Sequence, residues 1–134
     1  SPASNAIVCQ DLTASTNATN GYTIYARYTA APTNTLSQTI DPVSGSNATP
    51  AAFSAAGTEA YGYTTNDFTL GTGTAGRFNS NLWAAMTTSN AEVGYESAGV
   101  TSTTYRIGHQ FGVSTLTQPG TYTTTVIYTC TPVF

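Results

Sequence analysis

Thr104-Tyr105-Arg106-Ile107-Gly108-His109-Gln110-Phe111-Gly112-Val113 is the stretch that decides the fold: every odd position is apolar, aromatic or His, and every even one is polar or Gly. A period of two sends alternate side chains to opposite faces of an extended chain, so this is a strand with one buried face. The same signal recurs outward from it. In Gly21-Tyr22-Thr23-Ile24-Tyr25-Ala26-Arg27-Tyr28, residues Tyr22, Ile24, Ala26 and Tyr28 share a side. The preceding Asn20-Gly21 is a tight-turn pair, which predicts a hairpin over about 7–28. Thr117-Gln118-Pro119-Gly120 places Pro and Gly where a type II turn needs fixed and then positive φ. The chain then enters a last strand in which Tyr122, Thr124, Val126, Tyr128, Cys130 and Phe134 share a face. Weaker strands are predicted near 36–43, 59–70, 77–87 and 92–95, with residues 47–57 a short helix or a long surface loop. About eight short strands separated by turn residues predict an all-β fold, an antiparallel β-sandwich. The length suits one domain, over residues 9–134, preceded by an arm over 1–8.

Composition narrows the function. Charged residues are 7% of the chain, Lys is absent, and Arg27, Arg77 and Arg106 are the whole basic inventory. Ordinary soluble domains carry about 25%, and phosphate neutralisation needs clustered cations, so no nucleic-acid partner is expected. The acids Asp11, Asp41, Glu59, Asp67, Glu92 and Glu96 are scattered. No apolar run reaches the roughly 18 residues of a membrane span, and no membrane insertion is expected. The start at Ser1 instead of Met reads as a mature, exported product whose signal has been removed. Cys9 and Cys130 fit export as a disulfide closing nearly the whole chain into one loop. Such a bridge is worth about 4–5 kcal/mol on loop entropy; two unrelated thiols are the other reading.

Catalytic signals are few. His109, the one histidine, shares parity with Ile107 and Phe111 and reads as a hydrogen-bonded core residue. No G-x-S-x-G elbow is present, and one His with two distant Cys does not make a zinc site. Glu59, Asp67, Glu92 and Glu96 have no spacing that asks for a glycosidase pair. Residues 41–47 supply one carboxylate, short of a calcium loop. No enzyme, metal or cofactor is expected. Asn17-Ala18-Thr19 and Asn47-Ala48-Thr49 match the glycosylation pattern, which makes Asn17 and Asn47 candidate acceptors. Tyr61 and Tyr63, two rings on one side of a strand, are candidate exposed aromatics for a sugar, with core filling the alternative. Trp83, between Leu82 and Ala84, reads as core.

Tyr128-Thr129-Cys130 and a Trp between the cysteines imitate the immunoglobulin domain, although Trp83 lies far from Cys9. A broader resemblance runs through Thr16-Asn17-Ala18-Thr19-Asn20-Gly21-Tyr22-Thr23, Tyr61-Gly62-Tyr63 and the tail from Gln118 to Thr129. These segments resemble a group of secreted bacterial surface β-sandwich domains with a TNxxNGYT hairpin and a closing PAGTYTTT strand. The chain departs from that group in having Cys130 where a small residue is usual and in lacking the opening strand that normally precedes the hairpin. A sandwich missing one strand has an open groove, which pilins fill with a neighbour's strand. The reading is a non-catalytic subunit of an extracellular filament, pilus or surface layer, with itself as partner through β-strand addition. The arm, with Ala6, Ile7 and Val8, is the candidate donor. Without Lys no isopeptide bond can form, which leaves non-covalent assembly or Thr–Gln ester chemistry at Gln110 or Gln118. The alternative is a monomeric secreted module binding surface glycans, which size in solution would distinguish from a polymer.

Overall fold

The computed structural model describes residues 4–134. Among the described residues the chain is all-β, without helix, and folds into antiparallel sheets packed as a sandwich. The strands are β1 (Ser4–Thr16), β2 (Tyr22–Tyr28), β3 (Ala51–Ala52), β4 (Ala60–Thr65), β5 (Leu82–Trp83), β6 (Ala91–Glu96), β7 (Val100–Val113) and β8 (Val126–Pro132). One sheet has the order β1-β7-β4, its partner β6-β2-β8, and β3 pairs β5 in a small outer ribbon.

The alternating stretch lies in β7, the centre of the first sheet. Tyr105 and Ile107 are fully buried, and Phe111 packs against the core. At the middle of the sandwich the Tyr22 and Tyr105 hydroxyls meet at 2.8 Å, with their rings edge to face. Such a pair contributes about 0.5–1.5 kcal/mol beyond the area it buries. The even positions face outward, where Gly112 leaves no room for a Cβ: it would sit 2.6 Å from the Thr58 carbonyl oxygen.

Several expectations are corrected. The Asn20-Gly21 turn forms, with Gly21 at φ 70° and its N–H donating to the Ala18 carbonyl at 3.1 Å. It is not a hairpin turn. Strand β1 pairs with β7 and β2 with β6 and β8, so the turn carries the chain from one sheet to the other. Ala6, Val8, Gln10 and Leu12 continue one parity, and β1 zips onto β7 from Ser4↔Val113 onward. Residues 4–8 of the arm therefore belong to β1 and pair within their own chain, while residues 1–3 lie outside the described residues. Gly120 adopts φ 152°, far from the roughly 80° of a type II turn, and the segment is a bend. Residues 36–43 make only isolated bridges, the stretch over 77–87 shrinks to β5, and 47–57 forms β3 and loop.

Candidate functional site: an open seam between two edge strands

A two-sheet sandwich has two lateral seams, and here they are built differently. At one, β4 faces β6. The outer edge of β4 is paired: the Tyr61 N–H donates to the Asp41 carbonyl at 2.7 Å, and Tyr63 and Ala84 exchange two bonds at 2.9 Å. The outer edge of β6 is capped by side chains. Asn47 Nδ2 and Thr65 Oγ1 donate to the Glu92 and Val93 carbonyls at 2.9 and 2.6 Å, and Asp67 Oδ2 accepts the Tyr95 N–H at 2.7 Å.

Behind this cap lies a buried ion pair. Arg77 Nη2 is 3.5 Å from Glu92 Oε2, and both side chains are under 5% exposed. Burying such a pair is tolerable only if the remaining donors and lone pairs are satisfied. They are. Arg77 also donates to the Asn47 carbonyl and side-chain oxygens and to the Thr72 and Thr74 carbonyls. Glu92 accepts the Gly71 and Thr72 N–H groups and the Thr72 hydroxyl. The sequence placed no weight on these residues together, since nothing in a 15-residue separation announces a pair. Asp67 accepts the Thr69 N–H and hydroxyl as well. Both carboxylates thus serve the scaffold and leave no free acid–base partner.

Opposite lies the seam between β1 and β8, and there the two strands do not pair. Among the described residues the backbone ladder of β1 is with β7 only and that of β8 with β2 only. Between them run two grooves. One, of about 270 Å³, is lined by Leu12, Ala14, Ile24, Tyr128 and Cys130 with Asp11 and Thr13 at its rim. The other, of about 200 Å³, is lined by Val8, Gln10, Tyr61, His109, Phe111, Thr124 and Val126. Ile7 and Val8 are each 57% exposed.

One relay crosses this seam. Tyr128 Oη donates to Gln10 Oε1 at 2.6 Å and so accepts from His109 Nε2–H at 2.9 Å. His109 Nδ1 then accepts from the Tyr61 hydroxyl at 3.0 Å, and Tyr61 stacks on Phe111. Burial holds the His109 pKa below its ordinary value and pushes the Tyr128 phenol up to about 12, so both stay neutral near pH 7. Both His109 nitrogens and the Tyr128 hydroxyl are used by neighbours in the relay, and the Tyr61 hydroxyl also lies 3.7 Å from Met86 Sδ. Parity alone placed His109 inward; its partners on β4, β8 and β1 needed the sheet topology.

The remaining expected site residues fall as follows. Tyr61 and Tyr63 are not exposed aromatics, being 2% and 0% accessible, because both join the core. Trp83 is buried, its Nε1 donating to Asn81. Asn17 is exposed. Asn47 spends its amide hydrogens on Tyr63 Oη and the Glu92 carbonyl, and a glycan would break that cap. Gln110 lies on β7 and Gln118 is exposed. Cys9 and Cys130 are free, exposed thiols rather than a disulfide. The ladder of β1 runs without a bulge from Ser4 to Ala14, so Cys9 keeps the outward parity of Asp11. It lines an outer groove with Ile7, Phe68 and Trp83. Cys130 is opposite Ile24 and faces into the seam, where burial raises its pKa. The two thiols point to different sides of β1. Among the described residues no three His, Cys, Asp or Glu gather as a metal site, and no helix is long and apolar enough to cross a membrane. No family model matches the chain, and no curated protein or solved structure matches it either.

Proposed function

We propose that this chain is a non-catalytic structural subunit of an extracellular filament or surface layer, whose copies join by β-strand addition. The observation that carries the reading is the contrast between edges: β4 and β6 are covered, whereas β1 and β8 present free backbone. Natural sheets blunt exposed edges with Pro, Lys, bulges or covering loops. The 13-residue β1 has no Pro or Lys, and its one charge, Asp11, is paired with Arg106 of the same sheet. An edge that long and that neutral is a template for another strand. Because the arm already pairs in cis, the donated element is the edge of β1 itself rather than a free tail. The glycan-binding alternative loses its premise with the burial of Tyr61 and Tyr63.

Size tests the proposal. Purified protein should form long polymers by light scattering and electron microscopy. Ile7→Lys combined with Val8→Lys, which puts charge on the exposed part of β1, should leave folded monomers. A wild-type protein that stays monomeric at high concentration, or a double variant that polymerises normally, overturns it.

A further inference from the structure

We infer that Cys9 of one copy and Cys130 of the next form a disulfide across a β1-to-β8 contact, locking the assembly head to tail; this rests on the strand-addition reading above. Two observations converge on it. The two cysteines sit one on each open edge, both exposed. Their side chains face opposite ways, Cys9 away from the sandwich and Cys130 into it, which separates them within one copy. Between copies the same opposition brings them together. When β1 of one copy lies beside β8 of the next, the two sheets become one continuous sheet. For both thiols to fall on the same face, the outer face of the first sheet must continue as the inner face of the second. Each copy is then stepped by one layer, like a stair, and the repeat is heterologous and open-ended.

The outer face of β1 that carries Cys9 also exposes apolar surface, where Ile7 is 57% and Phe68 47% exposed. An antiparallel register with Cys9 opposite Cys130 sets Gln10 against Thr129 and Val8 against Thr131. No like charges meet, since β8 has no charged residue. Opposed Cα atoms in antiparallel strands lie about 4.5 or 5.5 Å apart, within the roughly 4.4–6.8 Å that a disulfide spans.

The bond forms by exchange with an external disulfide. A carrier disulfide makes a mixed disulfide with Cys9, and the Cys130 thiolate of the next copy attacks the Cys9 sulfur. The S–S bond to the carrier breaks and the carrier leaves as thiol. Two protein thiols are oxidised by two electrons, the carrier disulfide is reduced, and two protons end on the carrier thiols.

The test oxidises full-length assembled protein with glutathione disulfide and runs it on non-reducing denaturing gels. Wild type should give a ladder of covalent multimers. Cys9→Ser alone and Cys130→Ser alone should each give only monomer, and their mixture should stop at dimer. Because the bond is heterologous, a ladder or dimer surviving in either single variant overturns the pairing. A second readout mixes nitrogen-15 and natural-abundance copies before oxidation. Trypsin cuts only after the three Arg, so the bond links peptides 1–27 and 107–134. Hybrid isotopic masses are expected; only parental masses would mean an intrachain bridge and overturn the inference. Filaments that form but never cross-link defeat the disulfide and spare the strand-addition reading. Absence of both assemblies and ladder defeats the two together.

Discussion

The β4/β6 seam and the β1/β8 seam close the same sandwich from the same kinds of residue, and they differ in where the backbone polar groups go. At the first, loop side chains and bridges take up the outer N–H and C=O groups, and an ion pair is fully enclosed by hydrogen bonds. At the second, one relay of neutral side chains spans the gap, and two edge strands are left to solvent. Buried polar groups must find partners inside the molecule, while exposed ones can find them in water or in another molecule. The first seam therefore satisfies its backbone within the fold, and the second leaves its edge backbone to solvent.

The largest expected effect breaks the closed seam. Arg77→Met leaves the Glu92 carboxylate buried without its cation and removes the bonds to Asn47, Thr72 and Thr74. Removing one partner of a buried pair costs roughly 3–5 kcal/mol, read as the shift in a urea unfolding curve. A loss below about 1 kcal/mol would mean that this seam does not hold the sandwich.

Next in size is Tyr61→Phe, which keeps the ring on Phe111 and deletes the hydroxyl that His109 Nδ1 accepts. An orphaned buried acceptor costs about 1–3 kcal/mol. Tyr61 anchors the relay from the core, so unfolding free energy should fall by that amount while far-UV dichroism stays unchanged. No change in stability would show that the relay contributes nothing across the open seam.

How much of this was legible in the sequence follows from the range of each signal. Alternation in 104–113 and in 22–28 is local, and it gave the strands, the fold class and the inward His109. Which strands pair is a long-range property. Asn20-Gly21 offers the same turn chemistry to a hairpin and to an arch between sheets, and only the pairing of β1 with β7 decides between them. What the structure leaves unpaired at the open seam is the outer edge of β1, which pairs with β7 on its other side. Arg77, Asn47 and Glu92 meet through loops that have no periodicity, so their network left no mark in the sequence. The cysteines were visible and their facing was half visible: Cys9 shares parity with Asp11, and that parity, taken at its word, already argues against an internal bridge.

A smaller effect appears with pH. Burial depresses the folded-state pKa of His109, so the unfolded chain takes up a proton first as pH falls. Stability contributed by the neutral ring is present above the ordinary value near 6.5. It is lost as pH drops from there toward the depressed folded value, at no more than about 1.4 kcal/mol per pH unit for one proton. The residues facing His109 are Tyr61, Tyr128, Gln10, Val8 and Phe111, none of them charged near pH 7, so the slope belongs to His109. His109→Gln should cost a kcal/mol or two at neutral pH and flatten the profile just below 6.5. An unchanged slope in that variant would remove the assignment.

The smallest effect expected is at the second ion pair, which joins β1 to β7 on the outer face of their sheet, beside the open seam. Asp11 and Arg106 meet at 2.9 Å, closer than Arg77 and Glu92, yet their side chains are 52% and 63% exposed. In water the attraction between two such charges is offset by the ordering of two mobile side chains and weakened by salt. The Arg106 guanidinium still holds the Asp11 carboxyl below its usual value, but solvent reaches both groups. Distance would rank this pair above the buried one, and burial ranks it below. Asp11→Asn should therefore leave the thermal midpoint of the monomer within experimental error, at low salt and at high salt alike. A drop comparable to that of Arg77→Met would show that β1 is held as firmly as the closed seam, and the contrast between the two seams would no longer hold.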